Sequence, residues 1–368
     1  MTHSEPIPKL ETVTLAGVFV FLVMALIIKA VFHLQIAAGQ SLGFETPSLF
    51  WICRVLAVTY LPTALIHEFG HYLAGRACKQ YCRRFVIGPI EFAHIGSRWN
   101  VRWIPMRYAG LVDLVPSTFR GFRWQRAWCA SGGPMASLCA ALALTWLSLR
   151  TQSPTVFWTL SFAAQWSLVG LMNLAPIRLG GSTSDGLKLW EAIRGGAALD
   201  WTQRDLLTPS SHATPLRLRD WPGDLVLRLA NAPAHPVLRR YNCYLAYIHF
   251  LDCGDVAMAG QYLDKMTLDW AAGDPPEYAL EAAYFHAFHR HDAATAAKWL
   301  ALEPKDAEPW VRMRARAAIE TVSDHPETAQ MLIAGALELL NASPACGAHQ
   351  YEIDRVGQTI AVCRLSIS

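Results

Sequence analysis

Leu65-Ile66-His67-Glu68-Phe69-Gly70-His71-Tyr72-Leu73 stands near the end of an apolar run that begins at about Leu49. The run, roughly Leu49 to Ala74, is long enough to cross the ~30 Å hydrocarbon core of a bilayer as a helix. Two imidazoles and a carboxylate are therefore expected at membrane depth. Ionisable groups there cost on the order of a few kcal/mol unless something compensates them, so they point to function rather than to packing. Three further apolar runs cover about Val13 to Leu34, Trp128 to Leu149 and Val156 to Pro176. The first is read as an uncleaved span, because it is long for a signal peptide and its leading segment is not clearly basic. The expected fold is mainly α: a polytopic membrane protein with about four transmembrane helices, followed by a soluble helical portion.

Charge is distributed unevenly. Up to Trp190 the only carboxylates are Glu5, Glu11, Glu45, Glu68, Glu91, Asp113 and Asp185. The segment from Arg76 to Arg126 holds nine Arg and one Lys, whereas the stretch between the first two apolar runs has neither. The positive-inside rule then places the N-terminus, the Arg-rich segment and the C-terminal half in the cytoplasm, and the expected location is the bacterial inner membrane. Membrane lipids are the implied surroundings. A formal net charge of +3, concentrated in one loop, argues against a nucleic-acid partner. Within that loop Phe85 to Phe92 and Trp99 to Ile104 read as short strands, a small β-element whose free edge suits an extended peptide. The nine cysteines lack a repeated spacing and read as reduced thiols. Cys78 and Cys82 are either two small residues on one helical face or ligands of a second metal.

Residues 1–194 form the expected membrane domain. Residues 195–235, rich in Pro, Gly, Ser and Thr, read as a linker with some short helix. Residues 236–368 show helical stretches broken at Gly254-Asp255, His291-Asp292 and Ser323-Asp324, a recurrence that suggests stacked tetratricopeptide-like hairpins. Such arrays bind protein partners, here a cytoplasmic one, although a plain helical cap fits the pattern as well.

His67 and His71 lie one helical turn apart on one face, so both imidazoles can reach a single zinc ion at about 2.0–2.1 Å. Glu68 stands beside them, placed to take a proton from an attacking water. An active zinc centre needs a third protein ligand. The membrane half offers few acids: Glu91 and Asp113 have Arg neighbours, and Asp185, after the fourth apolar run, fits best.

His-Glu-x-x-His closing a span, then Arg76, Phe85-Val86-Ile87-Gly88-Pro89, Gly133-Pro134, Asn173-x-x-Pro176 and Asp185-Gly186 together resemble the site-2 protease family over about residues 50 to 190. The resemblance implies a three-span core in which His67, His71 and Asp185 bind Zn2+ and Glu68 activates water. It also implies that Asn173 and Pro176 help to position the substrate, a membrane-spanning segment of another protein cut in regulated intramembrane proteolysis. The sequence departs from the family in one respect: eight residues, not the usual four, separate Pro176 from Asp185, and Gly180-Gly181 are expected to form a loop that returns Asp185 to the metal. Two other readings remain. One is a membrane zinc protease acting on non-membrane chains, with Glu191 as its third ligand; the other is a membrane-anchored scaffold with a vestigial metal site.

Overall fold

The computed structural model describes residues 10–95, 98–106, 109–179, 182–268, 270, 275–302 and 307–365. They form two compact units, Met1–Pro116 with Arg120–Leu199 and Ser117–Phe119 with Asp200–Ser368. The chain is mainly α, with fourteen α-helices among the described residues.

The first unit contains four helices long and apolar enough to cross a membrane: α1 (Leu10–Ser41), α2 (Leu49–Ala77), α3 (Phe122–Ser148) and α4 (Pro154–Val169), the last continued by a 3-10 turn over Gly170–Leu174. Helix α1 runs past the end of its apolar stretch because its polar residues find partners inside the bundle. Gln35 Oε1 accepts from Gln165 Nε2 of α4 at 2.7 Å. Ser48 caps α2, accepting from the Trp51 amide. The helix stops where Lys79 takes a left-handed φ of 58° and Gln80 donates back to the Gly75 carbonyl at 2.9 Å.

Helices α2 and α3 touch backbone to backbone. A methyl group added at Gly132 would lie 2.5 Å from the Gly70 carbonyl oxygen and 2.7 Å from the Ala74 methyl. Close approach over small residues is how helices associate in lipid, where burial of apolar surface supplies little drive.

Between α2 and α3 lies a four-stranded antiparallel sheet of β1 (Tyr81–Ile87), β2 (Ile90–Ile95), β3 (Arg98–Trp103) and β4 (Gly110–Val115), in the order β3-β2-β1-β4. The stretch expected as one strand over Phe85 to Phe92 is instead a hairpin. Gly88 adopts a φ of +54° and Pro89 supplies no amide proton, so the chain turns there and Ile87 pairs with Ile90. No sequence signal above marks β4, which forms the edge beside β1. Glu91 and Asp113 are taken up by arginines: Glu91 pairs with Arg102 and Arg84, and Asp113 with Arg83 at 2.7 Å.

After α4 come a two-stranded hairpin, β5 (Arg178–Leu179) with β6 (Ser182–Thr183), and α5 (Asp185–Arg194). Gly180-Gly181, where a returning loop was expected, lie outside the described residues.

The stretch 195–235 carries more helix than its composition suggests, in α6 (Ala197–Ala213) and α7 (Gly223–Asn231). The second unit continues with α8 (Pro236–Asp252), α9 (Val256–Thr267), α10 (Pro276–Phe288), α11 (Ala293–Leu300), α12 (Pro309–Val322), α13 (Pro326–Asn341) and α14 (Gly347–Leu365). The turns α8–α9, α10–α11 and α12–α13 share one device: a left-handed residue, respectively Gly254, His291 and Asp324, directly precedes the N-cap. At the centre Glu281 binds Arg314 at 2.5 Å and Arg355 at 2.7 Å, while Glu352 bonds Arg314 and lies 3.4 Å from Arg355. Burial would raise the Glu281 carboxyl, but the charges of Arg314 and Arg355 outweigh it and hold it below the usual carboxylate range. Because the folded value is depressed, this carboxylate stabilises the fold at neutral pH and loses that effect progressively as pH falls through and below the ordinary carboxylate range.

Two stability predictions follow from these contacts. Gly132→Val should destabilise by about 1–3 kcal/mol through overpacking, seen as a lowered Tm in detergent, whereas Leu142→Val on the exposed face of α3 should leave Tm nearly unchanged. Glu281→Ala leaves Glu352 alone to face two buried guanidinium groups and should cost about 3–5 kcal/mol; a Tm no lower than that of Glu327→Ala, at an exposed helix start, would contradict this.

Candidate metal centre

Three side chains from two elements converge. His67 Nε2 and His71 Nε2, on successive turns of α2, are 3.2 Å apart, and Asp185 Oδ2, at the first position of α5, lies 3.1 and 3.0 Å from them. His67 and Asp185 are buried, with 8% and 1% of their surfaces exposed. Among the described residues no other three His, Cys, Asp or Glu side chains bring ligand atoms within 4.8 Å of one another. Glu191 lies elsewhere on α5, 4.0 Å from Arg178, and Cys78 and Cys82 are likewise outside the cluster.

The outer nitrogens fix the ring orientations. His71 Nδ1 donates to the Cys129 carbonyl at 2.7 Å, which leaves a lone pair on Nε2 of the neutral ring. His67 Nδ1 bonds Ser137 Oγ at 2.9 Å. Gly133 makes room for the pair, since a methyl group there would strike His71 Nε2 and sit 2.7 Å from His67 Nε2. Asp185 stays ionised: burial would raise its carboxyl, but bonds to His67 and His71 and the nearby charges outweigh that and hold it well below the usual carboxylate range. Three lone-pair donors at this separation repel one another unless a proton or a cation lies among them. Zinc bound tetrahedrally at about 2.05 Å spaces its ligands by about 3.3 Å, so the donor set fits such an ion.

The two ends of the long interval before Asp185 are bonded to each other. Ser184 Oγ donates to the Ala175 carbonyl at 2.6 Å and accepts from the Ile177 amide at 3.1 Å, while the Ser184 amide donates to the Ile177 carbonyl at 3.1 Å. The same Oγ caps α5 by accepting from Leu187. Ile177 and Ser184, on either side of the paired β5 and β6, are thus pinned together. Gly186 lets the first turn of α5 lie on the Leu174 carbonyl, where any Cβ would overlap it.

Asn173 is brought to the cluster: its Nδ2 donates to Asp185 Oδ2 at 2.5 Å. Pro176 is buried in the turn after it, and its carbonyl faces Gly17 of α1 rather than the three donors. Glu68 is half-buried beside the histidines and packs against Gly110, the first residue of β4; a Cβ at Gly110 would meet its side chain. Sequence reasoning missed Ser137, the Cys129 carbonyl, Gly110 and Lys188, which binds Asp185 Oδ1 at 3.1 Å. Ser137 was within reach, one turn after Gly133 on the same face of α3; a backbone carbonyl carries no residue signature.

Ser137→Ala should weaken Zn2+ binding about 10–100-fold by releasing the His67 ring, measured by competition with a chromophoric chelator; unchanged affinity would show that Ser137 does not orient His67.

Residues 55–343, well over half of the chain, match the profile of peptidase family M50. The chain is also similar to a Vibrio cholerae serotype O1 protein named "Putative zinc metalloprotease", with 24% identity over 152 residues, or 37% of this chain and 31% of that one. It therefore spans about a third of the length of that relative. No solved structure matches the chain. A profile match of this extent, over a chain that brings the His-Glu-x-x-His histidines and a later Asp into one donor set, places the protein in peptidase family M50.

Proposed function

We propose that the protein is a zinc metalloendopeptidase that hydrolyses peptide bonds in or near the membrane-spanning segments of other proteins. The observation that carries this reading is the meeting of His67, His71 and Asp185, with Glu68 alongside, near the end of a helix able to cross a bilayer. His67 Nε2, His71 Nε2 and Asp185 Oδ2 are assigned as the zinc donors. Zinc held there supplies Lewis acidity, which acidifies water and polarises a carbonyl. Glu68 takes the proton of the attacking water and passes it to the leaving amine. Glu68 is half-buried, with its side chain against Gly110.

A helical substrate must unwind before its carbonyls can react, because its own hydrogen bonds occupy them. Strand β4 pairs with β1 on one side only among the described residues, and its first residue, Gly110, lies against the Glu68 side chain. Its other edge suits an opened substrate strand, held by main-chain bonds. Asn173, exposed beside Asp185, and Pro176, which fixes the following turn, are assigned to substrate positioning. The Arg-rich sheet segment and the absence of Lys or Arg between α1 and α2 favour cytoplasmic N- and C-termini in a bacterial inner membrane. The helical second unit is then cytoplasmic, a surface for a protein partner that regulates cleavage.

Glu68→Gln should retain one zinc per chain yet lose cleavage of a membrane-embedded reporter by about 10²–10⁴-fold. Cleavage at the parent rate would remove Glu68 from the mechanism and overturn the proposal.

A further inference from the structure

The two oxygens of Asp185 have separate duties. Oδ2 faces both imidazoles and accepts from Asn173, whereas Oδ1 is bound by Lys188 Nζ at 3.1 Å. Lys188 lies three residues along α5, on the same face, with its side chain 31% exposed against 2% for Asp185. Its position is electrostatically awkward. Ser184 caps α5, so Lys188 sits about one turn from the positive end of the helix dipole, where a cation is disfavoured. Arg126 of α3 is also close enough to act on Asp185 and Glu191, and Arg178 lies 4.0 Å from Glu191. Lys188 itself acts on Glu68 and Glu191 as well as on Asp185, and the carboxylate its ammonium bonds is Asp185.

That bond bears on the chemistry. A carboxylate can bind zinc through one oxygen or through both. A hydrolytic zinc centre needs three protein donors and one position open to water, and a second carboxylate oxygen would compete for that position. We propose that Lys188 is a positioning residue, which holds Asp185 Oδ1 so that Asp185 ligates through Oδ2 alone and the water position stays open. The proposal rests on the assignment of His67, His71 and Asp185 as the zinc donors. It differs from a purely structural ion pair, which would affect stability but not the coordination number of the metal.

The test uses the purified full-length chain loaded with Co2+ in place of zinc, because the visible absorption of Co2+ reports coordination number. Lys188→Met should still bind one equivalent of Co2+, with a weaker visible band showing a higher coordination number. In the zinc-loaded variant, kcat for a membrane-embedded reporter should fall about tenfold with KM unchanged. Lys188→Arg, which keeps a cationic donor, should restore both the parent spectrum and kcat. If Lys188→Met does not accumulate, Lys188→Ala is read in the same way. A parent spectrum and a parent kcat in the Met or Ala variant would overturn the role of Lys188. Full Co2+ binding by Asp185→Ala would instead overturn the donor assignment itself, so the two failures are distinguishable.

Discussion

The contact between the α2 and α3 backbones at Gly70 and Gly132 sets the distance on which the rest of the site depends. Side chains at either position would hold the helices apart by several tenths of an ångström or more. The neighbouring Gly133 then clears the volume occupied by both imidazoles, and Ser137, a turn further along α3, reaches His67. The carbonyl of Cys129, a turn earlier, reaches His71. One face of α3 therefore supplies contact, space and both outer hydrogen bonds. In lipid this carries extra weight, because apolar burial between helices does little to hold them in register and close packing has to do it.

Two buried clusters of charged and ligating groups, one in each unit, are built in opposite ways. In the second, Glu281 and Glu352 face Arg314 and Arg355, so two anions meet two cations and the network is balanced within itself. In the first, the inward-facing atoms are two imidazole nitrogens and a carboxylate oxygen, all electron-pair donors. A balanced network of that kind is ordinary architecture. A convergent set of donors without a matching cationic side chain at its centre is the arrangement expected where a metal ion is the cation.

The four long apolar helices and the histidine pair were legible because they rest on local sequence order: long apolar runs and a four-residue spacing on one helix. Asp185 was legible through scarcity, since so few acids occur in the first half of the chain. What escaped depends on approach in space. The hairpin at Gly88-Pro89 was hidden inside an apolar stretch that reads as one strand, and the extension of α1 to Ser41 depends partly on Gln35 meeting Gln165 from a distant helix. Strand β4 has apolar residues on both faces and a single Asp, a pattern that pairing with β1 resolves but periodicity does not.

The interval between Pro176 and Asp185 shows why spacing alone is a weak guide to a ligand set. Eight residues lie between them, yet Ile177 and Ser184 are bonded to each other in both directions, which brings the two ends of that interval together. What does locate Asp185 is the docking of α5. Gly186 seats its first turn on the Leu174 carbonyl, and Arg123 of α3 holds its far end by donating to the carbonyls of Ala192 and Ile193. The histidines arrive together on one helix, whereas the third donor arrives only if a separate helix is seated at both ends. Completion of the donor set is therefore a tertiary event, governed by the contacts of α5 rather than by the length of the loop that precedes it.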